Sequence, residues 1–586
     1  MTSVSRRLGL HAVLSGLVCL AVTTGCVSIP TESPVSQGRD LGVQDEPQLN
    51  SNLPPGPAPG ATREEIAAGF LEAMLAYPRS ESLARSFLTS DAAARWDPAE
   101  TLVVYDDRDL KEDDGIVVFR SRRLGSLDER GSWTSSTPGT SEITVQIRTE
   151  QVDGEWRLAG PPAGTYIDAD YFERYFDPFA LHFFDPTGTI LTPDPVYLLL
   201  GESTATTLVR DLLRGPSRQL RGVAYTVAPD DLAISSPVQV SSAGLAEVPL
   251  SASALTMSPD DRRLFAAQLM WTLRALPEVE TIAITVDGQQ VSIEGSGTQF
   301  SVDEFAGYDP AGFAAARQLL GLAPRRVVTV TQDGATRVVG SVAAAAKDAR
   351  SVAADPSGAL AAAVSRDGSD VFVGSVSTAG GGTSPWFRRG EDLLRPSWDI
   401  HQVLWLVDRT AGGARLYATT ADRTRSVTAP GITAERVLSF AVARDGTRMA
   451  AVVEEDGRAR LVIALIDRSA ADPGDVTLSP ATSVYGPEVT FSGDNNLAWL
   501  SPTSVAVLAN EDGGALQPFE VSIDGSRVVT FDGFLPIRPV SIASGPNIDI
   551  PLVVGSRRGE LYVRDPESGW APFGEGTRVS SPVYPG

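Results

Sequence analysis

Apolar and polar positions change period three times along this chain, and each change marks a different kind of domain. Thr62 followed by Glu65 forms a capping box, and Ile66, Phe70 and Met74 then recur every four residues. That spacing predicts an amphipathic helix running to about Ala76, with a second short helix over Ser82 to Leu88. After Pro98 the period shortens, and strands are expected over Leu102 to Tyr105, Ile116 to Arg120, Ile143 to Ile147 and Trp156 to Leu158. Asp153-Gly154 separates the last two as a hairpin turn. A second α+β pattern runs from Thr187 to about Val302. It has strands over Val196 to Leu200, Val223 to Val227, Ala246 to Leu250 and Thr281 to Val286. Between them lie a helix over Thr204 to Leu213, stopped by Arg214-Gly215-Pro216-Ser217, and another opened by Ser258-Pro259-Asp260-Asp261. The latter presents Phe265, Leu269, Leu273 and Leu276 on one face.

From Arg325 onward the helical period vanishes, and short β runs alternate with Asp-Gly turns. A loose motif recurs at Ser351 to Gly358, Pro396 to Asp399, Ser439 to Gly446 and Trp499 to Pro502, each followed by an apolar run. Periods of roughly 40–50 residues in an all-β segment predict propeller blades, five or six over residues 325–586, with a double β-sandwich as the alternative. The fold class expected is therefore multidomain α+β followed by all-β. The first α+β unit, residues 61–180, is similar to NTF2-like domains. The second, residues 187–302, resembles the GerMN domain through Leu212-Leu213-Arg214-Gly215-Pro216-Ser217 and its flanking elements, and the propeller resembles the TolB kind.

The N-terminal segment adds a location. Arg6 and Arg7 precede an apolar stretch from Leu8 to Val22, and Thr23-Thr24-Gly25 then meets Cys26. About 15 apolar residues fall short of the roughly 20 that span a bilayer, so residues 1–25 read as a secretory signal. Cys26 after a glycine is similar to a bacterial lipobox, although Thr23 stands where lipoboxes usually carry Leu. The expected modification is a lipid on Cys26, holding the protein at the extracytoplasmic face of the cell membrane. Two or three acyl chains hold a protein stably where one does so only marginally. Residues 27 to 60 are rich in Pro, Ser, Gly and Gln and form a tether of about 30–35 Å.

Composition narrows the chemistry. The chain has 49 basic and 73 acidic residues among 586, a charge that repels nucleic acid. Its two cysteines are Cys19, in the signal, and Cys26, so the folded part has neither disulfides nor thiolate metal sites. Of three histidines, His11 leaves with the signal, His182 reads as a packed linker residue and His401 as part of a blade turn. There is no His-Glu-x-x-His, no Gly-x-Ser-x-Gly and no phosphate-loop lysine. Carboxylate pairs could still serve a glycosidase. However, Arg366-Asp367-Gly368, Arg444-Asp445-Gly446 and Ile523-Asp524-Gly525 read as turns in which Asp serves backbone geometry. Trp386, Trp398, Trp405 and Trp499 read as blade core, with a recognition surface as the alternative. No cofactor, metal or catalytic residue is expected.

The order of signal, tether, small α+β domain, GerMN-like domain and propeller, with Gly25-Cys26 and Arg395-Pro396-Ser397-Trp398-Asp399, resembles the actinobacterial lipoprotein LpqB family. The resemblance implies a non-enzymatic surface lipoprotein. It would associate with the extracellular domain of the MtrB sensor histidine kinase and modulate the MtrA–MtrB system, affecting cell-wall homeostasis and division. The alternative is a cell-wall glycan-binding protein or an enzyme using propeller carboxylates.

Overall fold

The computed structural model describes residues 54–586 apart from short segments at 78–79, 138–140, 313–316, 379–381, 456, 470–474, 485–488, 492–495, 512–513, 546–549 and 566. The signal, Cys26 and nearly all of the tether lie outside the described residues. Pro55–Gly586 form a single unit.

The capping box sets the first helix, α1 (Arg63–Ala73): Glu65 N–H donates to Thr62 Oγ1 at 3.2 Å, and Thr62 N–H donates to the Glu65 carboxylate at 2.8 Å. Ile66, Phe70 and Met74 are buried as their spacing requires. A 3₁₀ turn, Met74–Ala76, completes the segment, and α2 (Ser82–Arg85) and α3 (Ser90–Arg95) follow. The last of these is capped by Thr89, a signal the spacing argument passed over. These helices cover a sheet of β1 (Leu102–Asp113), β2 (Ile116–Leu127), β3 (Trp133–Ser135), β4 (Glu142–Val152), β5 (Glu155–Gly160) and β6 (Thr165–Asp168). Its order is β5-β4-β2-β1-β6, with β3 also on β2. Asp153 and Gly154 turn with φ of 52° and 83°, the paired positive values that a two-residue hairpin needs. The core forms where Phe70, Trp96, Tyr105, Phe119 and Leu158 meet.

After α4 (Ala169–Tyr175) the chain enters a hairpin of β7 (Phe176–Phe184) and β8 (Leu191–Leu199). The sequence places residues up to 180 in the first domain and His182 in a linker before residue 187. Phe179, Leu181, Phe183 and Phe184 in fact lie inside the second domain's core. A strand buried on both faces shows no polar alternation, which is why its period was silent. Helices α5 (Thr204–Leu213) and α6 (Pro259–Leu273) pack with a sheet of β9 (Gln239–Val240), β10 (Leu245–Leu250), β11 (Thr281–Val286) and β12 (Gln289–Gln290). Strands β10 and β11 run parallel. Ser258 caps α6, and Phe265, Leu269, Leu273 and Leu276 are all at most 2% exposed. Val223 to Val227, expected as a strand, takes part in isolated bridges, Tyr225 with Phe184 and Ala224 with Arg221, rather than in a strand.

Among the described residues, six sheets of four or five strands then make a six-bladed propeller. The recurring motif is the innermost strand of a blade and the turn after it: Ala349–Ala354 in blade 2, Ser397–Trp398 in blade 3, Arg436–Val442 in blade 4 and Leu497–Ser501 in blade 5. Blade 6 opens on Pro539–Ala543. Blade 1 is built from both ends of the domain: Leu319–Ala323, Arg326–Thr331 and Gly334–Arg337 are joined by Ser580–Val583 as the innermost strand. Leu320 pairs with Val583 and Leu322 with Ser580. This closure removes the open edges a sandwich would keep.

The closing strand carries a testable load. Tyr584, 3% exposed, packs with Leu319 and Val553. Deleting residues 580–586 loses its burial, about 3 kcal/mol for a large aromatic side chain, which is about 6–12 °C in a domain of this size. Calorimetry should show the propeller transition lowered by at least that amount, with the first domain's transition in place.

Candidate functional site

The β7–β8 hairpin brings the chain's buried charges together. The turn after β7 carries Asp185, which is fully buried and accepts backbone N–H groups from Thr189 and Ile190 at 3.1 and 3.2 Å. Its Oδ2 stands 3.6 Å from Nε2 of His401. That histidine is in a blade turn, as expected, and the turn is held by Asp399. The Asp399 Oδ1 accepts from His401 and Val403 N–H at 2.9 and 3.2 Å, and its Oδ2 accepts from the Trp405 indole N–H at 2.7 Å. Arg468 also donates to Asp399, and the two side chains are only 3% and 0% exposed.

One turn of the ring further, Arg448 donates to the Pro193 carbonyl at 2.5 Å and lies 3.7 Å from Asp445. Burial pushes the Asp445 carboxyl up and the Arg448 guanidinium down, each opposed by the other's charge. Asp194 accepts from Ser217 N–H at 2.7 Å and pairs with Arg130 of the first domain at 3.4 Å. The serine of the Gly-Pro-Ser helix stop is thereby tied, through Asp194, to the first domain. Asp524 accepts from the Tyr197 hydroxyl at 3.2 Å, and its carbonyl accepts from Ser135 Oγ at 2.7 Å. Burial raises the Asp524 carboxyl and the Tyr197 hydroxyl alike.

The candidate residues therefore divide. Asp367 serves its turn alone, accepting from Ser365 Oγ at 2.6 Å, a bond that holds its carboxyl below the ordinary range. Asp445 and Asp524 shape their turns and also face the hairpin. His182 lies on β7, buried beside Trp271 at 5.9 Å between ring centroids. Burial first, and then Arg274, lowers its pKa to about 3, so it is neutral. Trp398 and Trp405 are completely buried and Trp499 is 6% exposed, while Trp386 is partly buried edge-on to Trp398 at 5.3 Å. Three of the four are blade core, as weighed from sequence. The pairing of His401 with Asp185 is sealed, the side chains being 12% and 0% exposed, and offers a substrate no approach.

Sequence reasoning missed Asp185, Asp194, Arg130, Arg448, Arg468 and Tyr197, because the contacts that join them to other domains or blades are remote in the chain. An open cleft of about 410 Å³ in the first domain is lined by Glu72, Tyr105, Asp106, Arg108 and Asp168, among others. Among the described residues no three His, Cys, Asp or Glu side chains group to hold a metal ion, and no helix is long and apolar enough to cross a membrane.

The comparisons with known proteins follow the same three-part division. The family model for the lipoprotein LpqB N-terminal domain matches residues 56–173, one described as sporulation and spore germination matches 180–292, and the lipoprotein LpqB beta-propeller domain matches 325–585. Lipoprotein LpqB of Cutibacterium acnes is 29% identical over 540 residues, covering 88% of this chain and 89% of that protein. Lipoprotein LpqB of Thermobifida fusca is 26% identical, covering 97% and 98%, and that of Streptomyces avermitilis 28%, covering 99% and 98%. Among solved structures, TolB from Acinetobacter baumannii is 12% identical with a TM-score of 0.34, covering 56% of this chain and 85% of that one. The first GerMN domain of the sporulation protein GerM from Bacillus subtilis is 21% identical with a TM-score of 0.18, covering 21% and 94%.

Two measurements test the buried charges. Asp399→Ala leaves Arg468 buried without its carboxylate and should cost about 3–5 kcal/mol in urea unfolding of the propeller, whereas adding Arg468→Leu should recover part of that loss. His182 is neutral when folded and protonates near its ordinary value of 6.5 when unfolded. The folded state therefore loses stability as pH falls from 6.5 toward about 3, by up to about 1.4 kcal/mol per pH unit. Urea titrations at successive pH values should show a shallower acid slope in His182→Phe.

Proposed function

The chain belongs to the LpqB family of lipoproteins, and on that basis we propose that it is a membrane-anchored accessory protein of the extracytoplasmic face. Cys26 carries the lipid. The folded body binds and modulates the extracellular domain of a sensor histidine kinase of the MtrA–MtrB type, and through it cell-wall homeostasis and division.

The observation that carries this reading is the use to which the body puts its charges. Asp185, Asp194, Asp399, Asp445 and Asp524 join domains and shape turns, with arginine, histidine, tryptophan, serine and tyrosine partners, and the open cleft lined by Glu72, Asp106 and Asp168 also holds Arg108. A fixed surface on a tether suits a binding partner. The absence of thiols from the folded part and the strongly negative charge agree with an extracellular setting away from nucleic acid.

Two experiments test it. The soluble body, residues 61–586, should retain the kinase ectodomain in pull-down at micromolar concentration. Failure to associate there, while peptidoglycan or arabinogalactan fragments bind saturably, would favour the glycan reading. Cys26→Ala should either remain an unprocessed precursor or leave the membrane fraction. A variant with unchanged mass and unchanged retention would refute lipidation at this residue.

A further inference from the structure

The two faces of the propeller meet different surroundings. In an antiparallel blade the turns alternate between faces, so the turns after first and third strands lie together, and those of blades 3 and 5 meet the hairpin through His401 and Asp524. The opposite face is made of the turns after second strands and the loops between blades. Over blades 6 and 1 these are the loop 531–538, the turn 557–560, the loop 574–579 and the turn 324–325.

The four segments adjoin. Pro539 pairs with Ser556, which sets Arg538 beside Arg557 and Arg558. Val579 N–H donates to the Gly559 carbonyl at 2.9 Å, which brings Arg578 to the same turn. Ser580 pairs with Leu322, so Arg578 also stands alongside Arg325. Val338 N–H donates to the Val327 carbonyl at 3.1 Å and places Val339 beside Arg326. Six exposed arginines thus follow one another along a strip that has three carboxylates, Asp532, Glu560 and Glu575, and Glu560 accepts from the Ser556 hydroxyl at 2.9 Å. Among the described residues none of the six arginines is in an ion pair. Elsewhere on this face arginine is answered: Arg350 and Arg409 pair with Asp392 at 2.7 and 2.6 Å. The strip also carries Phe534, at 86% the most exposed large apolar residue described, with Val339 at 65% and Val540 at 38%. Single exposed apolar residues are ordinary, but three on one arginine-lined strip of a chain with a net charge of −24 mark a contact surface.

We propose that the propeller rests by this strip on a lipid bilayer with anionic headgroups, Phe534 entering the interface and the arginines meeting lipid phosphates. A protein interface gathers its apolar residues into a core inside a polar rim. Here the apolar tips stand apart among the arginines, an arrangement that suits insertion between headgroups. Charge sets the orientation, because the body as a whole is acidic and repelled by an anionic surface while this strip is drawn to it. The contact is weak and screened by salt, so it orients a body that its anchor holds near the membrane and does not replace the anchor.

The test uses residues 26–586 with Cys26→Ala, which keeps every described residue and has no lipid of its own. Sedimented at about 50 mM salt, it should bind vesicles of mixed phosphatidylglycerol and phosphatidylcholine at least about five-fold better than phosphatidylcholine alone, and lose that preference at about 0.5 M salt. Arg557→Glu with Arg558→Glu should lower the binding about 25-fold, taking about five-fold per charge, and Phe534→Ser about ten-fold, with unfolding midpoints unchanged. In the lipidated full chain, amide exchange over residues 533–538 and 557–559 should slow when phosphatidylglycerol is added to the vesicle, a readout that needs no variant. Equal binding to the two vesicles, anionic binding that survives the double charge reversal, or unchanged exchange overturns the proposal. So does a kinase ectodomain that binds the parent and not the reversed chain while vesicle binding stays at the neutral level, which would make the strip a protein interface. The vesicle assay contains no kinase, so the kinase reading stands or falls separately.

Discussion

The hairpin from Phe176 to Leu199 is packed against all three domains, and burial of that kind makes each unpartnered charge on it costly. Its apolar side chains complete the core of the second domain. Tyr197 packs against Trp133 and Phe172 of the first, at 6.4 and 5.4 Å between centroids. Among its polar groups the Pro193 carbonyl, Asp194 and the Tyr197 hydroxyl are answered by Arg448, Arg130 and Asp524, and Asp185 stands 3.6 Å from His401, while His182 Nδ1 and Thr192 Oγ1 stay buried without a hydrogen-bond partner among the described residues. Moving any one domain would strand a buried charge, so the relative placement of the three follows from satisfying this single element.

The distribution of ion pairs shows where that constraint acts. Pairs on the outside, such as Arg436 with Glu454, have side chains 69% and 27% exposed and are worth at most about 1 kcal/mol. Arg468 with Asp399 and Arg448 with Asp445 are nearly inaccessible, and each also holds a backbone carbonyl or a turn in place. Buried pairs of this kind add little net stability over apolar replacements, but breaking one is costly. They enforce geometry more than they supply cohesion. Cohesion comes from the blade cores, which in a folded part without cysteine must hold by packing and by the closing strand.

Local features of this architecture were legible in the sequence, and features decided at a distance were not. The capping box at Thr62, the start at Ser258-Pro259 and the Asp153-Gly154 turn depend on residues within one turn of each other, and the structure realises all three. The blade motif marked blades 2 to 5, because there the innermost strand and its turn are contiguous. Blade 1 escaped it, since its innermost strand is drawn from the far end of the domain. The same limit hid the site. Asp524-Gly525 announces a turn, but nothing local says that its carboxylate also faces Tyr197, or that Arg448, three residues after Asp445, reaches the Pro193 carbonyl. Strand β7 was hidden for another reason, being apolar on both faces.

A rigid body also changes what a tether achieves. With the lipid on Cys26 and residues 27–60 acting as the flexible tether their composition suggests, both as proposed, the body would stand on average about 30–35 Å from its anchor, and a partner in the same membrane would meet it at an effective concentration in the millimolar range. Confinement helps only if binding does not have to order the binder first, since each side chain or loop immobilised on association costs affinity. Here that ordering is complete before any encounter. The hairpin has already fixed the domains, and the propeller turns that carry Asp399, Asp445 and Asp524 are occupied by the chain itself. An accessory protein built in this way can use a small contact of modest intrinsic affinity on its remaining surface, and still report faithfully on the presence of its partner.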